Sequence, residues 1–410
     1  MTNSPPSNVN SEESLSENGR ILSSGLDSLV LGLSIEWKDE SFLNSLEDLR
    51  SAAAAEKTGM PGSIKAETDE WIFNVQPHGA NGYRWLLNSP EYDVRILHGT
   101  RGMRPSAMIE VRSATLWARG AIEAVNRIVT LLTSAGAKVQ KVSASRTDEC
   151  VDILLPEEIW TLGLLSHAVT RAVDDAAYRH HGAFTGITIG KGIVQARVYD
   201  KPLEIVTKSQ KTWMFDVWNL KEAPAGGRIV RVEFQLRREA LTELGIDTVW
   251  DLLKHPKSLW AYCTEHWLKF QDSPELHHTQ QKTLPWWKSV QHGFLGGQDA
   301  HPLIRAKIVN VKKVQISQQM IGQLTSLIAM ESDGDITPGG EIAVKDHLPK
   351  VLEGAALIGM NPKKMYERVR RRVAKYVQGE EKFRDAERRR KAAGLPVIRK
   401  RDGNGKGGTA

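Results

Sequence analysis

The feature that most constrains the fold of this 410-residue chain is a strand-like run near residue 230. In this run Val230, Val232, Phe234 and Leu236 alternate with Arg231, Glu233, Gln235 and Arg237. Side chains two residues apart share one face of a β-strand, so one face of this strand is apolar and the other is charged. Such a strand is typical of an antiparallel sheet with one packed face and one polar face.

The same division occurs in other segments. An upstream strand places Gln195, Arg197 and Tyr199 on its polar face, and it follows a tight Gly-Lys-Gly connection at 190–192. Further upstream, polar residues again recur at every second position, in the sets Arg146, Asp148 and Asp152, and Glu110 and Arg112. If these strands are neighbours, the polar face gathers carboxylates, arginines and one tyrosine.

The order of the elements predicts an α+β fold. Strands are expected over residues 28–37, 70–76, 83–87, 94–98, 107–113, 139–153, 184–189, 193–200 and 228–238. Helices are expected over residues 39–56, 118–135, 239–253 and 258–270, and also from Pro156 through Val173. We therefore predict a mainly antiparallel sheet with helices packed on one face.

Composition divides the chain into four parts. Residues 1–25 are rich in Ser, Asn, Pro and Glu and are expected to be disordered. Residues 26–305 form the α+β domain and end in an irregular connection over 276–305. Residues 306–378 have a helical pattern that suits either DNA binding or self-association. Residues 379–410 form a basic tail that is expected to be flexible.

The positive charge is concentrated at the C-terminal end. Residues 361–410 contain 17 Lys and Arg against 6 Asp and Glu, whereas the rest of the chain has a net charge of −5. The block formed by Arg388, Arg389, Arg390 and Lys391 suits counterion release from a nucleic-acid backbone. From charge alone, a solvated helix followed by a basic tail explains this block equally well.

Several classes of protein are disfavoured by the sequence. The two cysteines, Cys150 and Cys263, lack metal or redox spacing, which indicates buried free thiols in a reducing cytoplasm. No signal peptide or membrane-spanning stretch is recognisable, so we expect no membrane association. No phosphate-binding loop of nucleotide hydrolases is present, so any helicase activity must come from a partner.

The polar face carries the types of side chain that are needed to attack a phosphodiester. A tyrosine hydroxyl is a competent nucleophile once its proton can leave, and arginines can neutralise the phosphate. Tyr199 is the candidate nucleophile, and Arg197 and Arg231 are the candidate phosphate ligands. The alternative is that these residues are only the solvated side of an antiparallel sheet and that Tyr199 is structural.

Three motifs in this order resemble those of the replication initiation factor family. These are the rolling-circle initiators of plasmids and phages, together with relaxases of integrative conjugative elements. The matching segments are Arg-Thr-Asp-Glu-Cys-Val-Asp at 146–152, the glycine turn followed by Arg-Val-Tyr-Asp-Lys within 190–204, and Arg-Val-Glu-Phe-Gln-Leu-Arg at 231–237. The resemblance extends over about residues 28–300.

This resemblance implies a rolling-circle initiator of the bacterial cytoplasm that nicks and rejoins one DNA strand at an origin hairpin. Its intermediate is a 5′-phosphotyrosine, and its implied partners are single-stranded origin DNA, a host helicase, a polymerase and a second copy of the chain. The implied catalytic residues are Tyr199, Arg197, Lys201 and Arg231. The implied ligands for Mg²⁺ or Mn²⁺ are Asp148, Glu233, Asp152 and Glu204, with Glu110 in reserve. The implied DNA contacts are Arg146, Arg237 and the basic block Arg388, Arg389, Arg390 and Lys391.

Three alternatives remain open. The first is a conjugative relaxase of an integrative element with the same chemistry, and the second is a noncatalytic origin-binding or mobilisation accessory protein. Tyr178, which is expected on a helix, is a second candidate nucleophile. The two histidines flanking one residue that hold the metal in many related enzymes are absent, so the hypothesis requires a carboxylate-type site.

Overall fold

The computed structural model describes residues 16–99, 104–220, 222–272, 281–295, 301–305 and 381–395. The chain divides into two compact units, residues 1–303 and residues 304–410, and each unit is described by itself.

The first unit is built around one large antiparallel sheet. Its strands are β1 (Arg20–Trp37), β2 (Met60–Lys65), β3 (Glu70–Val75), β4 (Trp85–Asn88), β5 (Tyr92–Ile96), β6 (Ala107–Val111), β7 (Ala137–Pro156), β9 (Asp175–His180), β10 (Ala183–Ile189), β11 (Val194–Asp200) and β12 (Gly227–Arg237). Within the described residues the sheet has eleven strands in the order β2-β3-β4-β5-β6-β1-β7-β12-β11-β10-β9. A second, two-stranded sheet pairs β8 (Ala168–Thr170) with β13 (Leu268–Phe270).

Helices connect these strands. They are α1 (Ser41–Glu56), α2 (Ser113–Arg119), α3 (Ala121–Ser134), α4 (Lys201–Glu204), α5 (Met214–Trp218), α6 (Arg238–Glu243), α7 (Val249–Lys254), α8 (Pro256–Ala261) and α9 (Pro285–His292). Two of them are extended by π-helical turns, α4 over Ile205–Ser209 and α8 over Tyr262–Trp267. None of the helices in the described parts of the chain is long and apolar enough to cross a membrane.

The two longest strands, β1 and β7, pair along almost their whole length and form the centre of the sheet. The prediction of an α+β fold with a large antiparallel sheet is confirmed. The glycine connection at 190–192 joins β10 to β11 as expected. Cys150 and Cys263 are both buried free thiols, also as expected.

Helices cover both faces of the sheet rather than one. Trp260 of α8 packs against Phe234, which belongs to the apolar face of β12. On the opposite face Met214 and Trp218 of α5 form a buried cluster with Leu154 and Ile229. The segment 201–220 therefore covers one end of the face that the sequence predicts to be open and charged.

The predicted helix after Pro156 is wrong. Two short 3₁₀ turns, Glu157–Ile159 and Leu162–His167, are followed by β8 and β9. Tyr178 therefore lies on β9, an edge strand whose six residues are all exposed, and not on a helix. Of the apolar residues that suggest a helix here, Leu162 is 42% exposed and Val173 is almost fully exposed, so they do not form a buried stripe.

Two predicted boundaries also need correction, and a third prediction is not tested. β1 begins at Arg20, so residues 20–25 are not disordered. The expected irregular connection over 276–305 contains α9, which begins at Pro285 and buries Trp286 and Trp287. Residues 306–378, which are predicted to be helical, lie outside the described residues.

In the second unit residues 381–392 are helical, within the segment predicted to be a flexible tail. Phe383 and Ala386 of this helix pack with Ile304. Amphipathic spacing of these two apolar residues explains why the basic sequence is compatible with a packed helix.

Candidate functional site

The polar residues predicted on three strands are brought together by the register of β7, β12 and β11. Arg231 lies opposite Asp152 on one side and opposite Tyr199 on the other. Glu233 is paired with Arg197, and Gln235 with Asp148. The three strands are thus neighbours, and their polar positions face the same side of the sheet.

Tyr199 and Glu233 form a hydrogen-bonded pair. The Tyr199 hydroxyl donates to Glu233 Oε2 at 2.9 Å. The pKa of Tyr199 is raised well above its usual value, first by burial and then by the negative charge of Glu233. Burial also raises the pKa of Glu233, and the charges of Asp27 and Asp148 raise it further. The raised pKa of Glu233 makes it a stronger base, while the raised pKa of Tyr199 makes its hydroxyl a weaker acid, so it is the hydrogen-bond geometry that places Glu233 to accept the tyrosine proton.

Arginines hold the carboxylates of this face. Arg197 donates to Glu233 Oε1 at 2.5 Å and to Gln195 at 2.7 Å. Arg146 donates to both oxygens of Asp148, which also accepts from Gln235. Both arginines keep about a third of their side-chain surface exposed, 34% for Arg197 and 33% for Arg146. Each can therefore present part of its guanidinium to a phosphate in the cleft.

Arg231 lies below the site rather than in it. Its side chain is completely buried, with bonds of 2.7 and 2.8 Å to the two oxygens of Asp152 and of 2.7 Å to Asp27. Asp152 also accepts from Ser23 and Trp218. The predicted roles of Arg231 as a phosphate ligand and of Asp152 as a metal ligand do not fit this burial.

Asp27 owes its position to an irregularity in β1. The pairing of β1 with β7 shifts between Leu26 and Ser28, which leaves Asp27 as the extra residue of a bulge. Bulges often redirect a side chain, and Asp27 reaches Arg231, Lys211 and Ser113. Burial favours a higher pKa for Asp27, but the charges of Arg231 and Lys211 outweigh it and hold the pKa well below its usual range.

Lys201 follows the tyrosine strand at the start of α4. Asp200 caps this helix by accepting from the Leu203 backbone N–H at 2.9 Å. The Lys201 ammonium lies 2.6 Å from Glu204 and 5.5 Å from the centre of the Tyr199 ring. Its pKa is lowered by burial and by the positive charge of Arg231. The π-helical turn that follows is a feature often found at functional sites.

These residues line an open cleft of about 720 Å³. Tyr199, Arg197 and Glu233 form part of its floor, and Lys201 and Glu204 line it as well. The rest of the lining includes five cations, Arg112, Arg146, Arg179, Lys208 and Lys211, and four acids, Asp27, Glu110, Asp148 and Asp200. Each of these four acids pairs with an arginine or a lysine. The cleft therefore combines a tyrosine hydroxyl with a charged surface on which cations are available beside paired acids.

The four predicted metal ligands each pair with a cationic side chain of the protein. Asp148 is held by Arg146, Glu233 by Arg197 and Tyr199, and Asp152 by Arg231, while Glu204 pairs with Lys201. No group of three or more potential ligands that could hold a metal occurs within the described residues. Each acid is instead neutralised by a cation of the protein.

The predicted DNA contacts have different environments. Arg146 lines the cleft, whereas Arg237 is exposed at the end of β12. In the second unit Arg388 and Arg389 are exposed and pair with Asp385. Arg390 is buried and donates to the backbone carbonyl of Ile304, and burial lowers its pKa to about 10. Arg390 therefore does not fit the predicted role of a surface contact.

Sequence reasoning missed three residues of this site. Asp27 and Trp218 each lie in a mostly apolar stretch of sequence, which does not mark them as site residues. Lys211 follows the π-helical turn of α4, a feature that the sequence pattern does not predict. The acidic residue within the otherwise apolar run of β1 was the one available signal for Asp27.

A search against protein-family models and a search of curated proteins each give no match to this chain.

Proposed function

We propose that this protein cleaves one strand of DNA with Tyr199 as the nucleophile and later rejoins it, as a rolling-circle replication initiator does. The observation that carries the proposal is the 2.9 Å hydrogen bond from the Tyr199 hydroxyl to Glu233 on the floor of a cleft that Arg197 and Lys201 also line. A tyrosine whose hydroxyl is bonded to a carboxylate is arranged as an activated nucleophile paired with a base.

The proposed reaction needs four changes of bonding. The Tyr199 proton passes to Glu233, and the tyrosine oxygen forms a new bond to phosphorus. The bond from phosphorus to the 3′ oxygen breaks, and that oxygen takes up a proton from water. The products are a 5′-phosphotyrosine and a free 3′ hydroxyl, and reversal of the same steps rejoins the strand.

The charges on the cleft support this reaction without a step through a metal ion. Arg197 is bonded to the same carboxylate as Tyr199 and is one-third exposed, so it can stabilise the non-bridging oxygens. Lys201 adds a positive charge on the Tyr199 ring face. Arg231 holds Asp27 and Asp152 beneath the site and acts as a positioning residue.

The proposal is tested with a supercoiled plasmid that carries the DNA flanking this gene, in buffer with Mg²⁺ or Mn²⁺. The wild-type protein is expected to give nicked plasmid with protein attached covalently to the 5′ end. Tyr199→Phe should abolish covalent attachment and retain DNA binding, because it removes only the nucleophilic oxygen. Glu233→Gln should slow nicking about 10²–10⁴-fold, the usual contribution of a general base.

Two controls complete the experiment. Tyr83→Phe removes a buried tyrosine hydroxyl bonded to the Pro105 carbonyl and should nick at the wild-type rate. The nicking rate should fall with decreasing pH as Glu233, whose pKa is raised, becomes protonated, and Glu233→Gln should lose this dependence. Covalent attachment that survives Tyr199→Phe would refute the proposal.

A conjugative relaxase would use the same cleft and chemistry and would differ in the DNA that it recognises. A noncatalytic origin-binding or accessory protein is the second candidate, favoured by the pairing of the acids with arginines. Such a protein would bind DNA through the same cations and would tolerate Tyr199→Phe without any change.

A further inference from the structure

Tyr178 is a second tyrosine of the same sheet face, and the proposed chemistry does not use it. It lies on the edge strand β9 and keeps 52% of its surface exposed. It lines the same cleft as Tyr199. A half-exposed aromatic ring that lines a cleft presents a flat apolar face to whatever the cleft binds.

Gly186 connects the two tyrosines across the sheet. In the pairing of β9, β10 and β11, Gly186 lies opposite both Tyr178 and Tyr199. Neighbouring strands lie about 4.7–4.9 Å apart, so the two tyrosines are separated by about 10 Å. This separation is comparable with the reach from a phosphate to a neighbouring base.

The glycine allows β10 and β11 to approach closely beside Tyr199. A Cβ at Gly186 would lie 2.7 Å from the Val198 carbonyl oxygen and 2.8 Å from the Tyr199 Cβ. The pairing of β9 with β10 also shifts between Phe184 and Gly186, which is a bulge beside the site. Bulges next to functional sites turn side chains toward a ligand.

Two exposed cations line the same cleft as Tyr178. Arg179 follows it on β9, and Lys208 lies on the π-helical turn at another part of the rim. Both are exposed and form no ion pair within the described part of the chain. They are therefore available for the phosphates of a nucleic-acid strand.

We propose that Tyr178 is a stacking platform for an unpaired DNA base beside the phosphate that Tyr199 attacks. The inference rests on the proposed function, and it adds a residue that holds the single strand by contact with a base. A basic groove combined with an exposed aromatic ring is how proteins bind single-stranded nucleic acid without sequence preference. Stacking uses the ring face and needs no hydroxyl, which separates this role from that of a second nucleophile.

The test measures binding of a fluorescent oligothymidylate of about 15 nucleotides, which covers a typical single-strand site. Tyr178→Ala is expected to weaken binding about 5- to 100-fold, the loss of one stacked base. Tyr178→Phe keeps the ring and should bind within about twofold of wild type. Trp250→Ala is the matched control, because Trp250 is an aromatic residue on α7 with 44% exposure that does not line the cleft.

A second measurement locates the contact directly. Oligothymidylate that carries one 5-iododeoxyuridine should photocross-link to the peptide containing Tyr178. The proposal is overturned if wild type does not bind the oligonucleotide, if Tyr178→Ala binds as tightly as wild type, or if Tyr178→Phe loses as much affinity as Tyr178→Ala. It is also overturned if Tyr178→Ala changes the oligomeric state instead of DNA affinity, which would make β9 an interface between copies.

Failure of this inference is distinguishable from failure of the proposed function. The oligothymidylate assay measures binding alone and needs no cleavage. If Tyr178→Ala weakens binding while covalent attachment survives Tyr199→Phe, the platform stands and the nicking assignment fails. If Tyr199→Phe abolishes attachment and Tyr178→Ala has no effect on binding, the nicking assignment stands and the platform fails.

Discussion

The burial of Arg231 leads to a prediction that separates a structural role from contact with phosphate. Arg231→Met removes the guanidinium and keeps a long apolar side chain in the same space. Three charge-assisted hydrogen bonds to Asp152 and Asp27, at about 1.5–3 kcal/mol each, would total about 4.5–9 kcal/mol. The two carboxylates retain other donors, namely Ser23, Trp218, Ser113 and Lys211. The expected loss in the free energy of unfolding is therefore about 3–5 kcal/mol, as for other broken buried pairs.

Urea unfolding followed by tryptophan fluorescence measures this loss. The matched control is Arg119→Met, because Arg119 is 41% exposed and pairs with Glu123 at the surface. Exposed pairs are worth about 0–1 kcal/mol, so the control should unfold close to wild type.

The difference between wild type and Arg231→Met should depend on pH. Arg231 helps to keep the pKa of Asp27 below its unfolded value of about 3.9. A lowered pKa stabilises the folded state above that pH, and this contribution is lost as the pH falls further. The difference should therefore be largest above about pH 4 and shrink in acid.

One result would refute the reasoning. If Arg231→Met unfolds at the same urea concentration as wild type but no longer binds oligothymidylate, Arg231 contacts phosphate, as the sequence motif alone suggests.

Three further predictions concern other residues. Glu149 is fully buried, and neither of its carboxylate oxygens forms a hydrogen bond in the described structure. Burial raises its pKa well above 4.5. Glu149→Leu should therefore raise the free energy of unfolding at pH 7 by about 1–3 kcal/mol, with a smaller gain at pH 4. Unchanged urea midpoints at both pH values would show that Glu149 has a partner in solution. Gly186→Ala should lower the free energy of unfolding by about 1–3 kcal/mol, because its methyl group would overlap the Tyr199 backbone strand, and an unchanged midpoint would contradict this packing. Arg146 now pairs with Asp148, so if Asp148 is a metal ligand, Arg146→Gln should free it and raise the affinity of the protein for Mn²⁺ about tenfold, or about 1.4 kcal/mol. Calorimetry that detects no gain in affinity would remove Asp148 from the predicted metal site.

The alternation of apolar and polar residues was enough to predict which strands carry the candidate site. Tyr199, Arg197 and Glu233 share one face because a period of two is a property of any extended strand. The alternation does not show whether β7, β12 and β11 are neighbours, and the hydrogen-bonded register of these strands confirms that they are. The helix predicted after Pro156 is wrong because pairing with distant strands decides this segment: β8 pairs with β13 and β9 with β10.

The sequence by itself determined the α+β class and the chemical identity of the polar face, since both follow from local periodicity. Only the tertiary structure decided which of those polar residues reach the cleft. Arg231 and Asp152 are buried because Met214 and Trp218 of the short helix α5 pack over that end of the sheet. Asp27 bonds to Arg231 and also lines the cleft, because a one-residue bulge redirects its side chain. Burial depends on what a distant segment places over a strand, and the pattern within the strand does not contain that information.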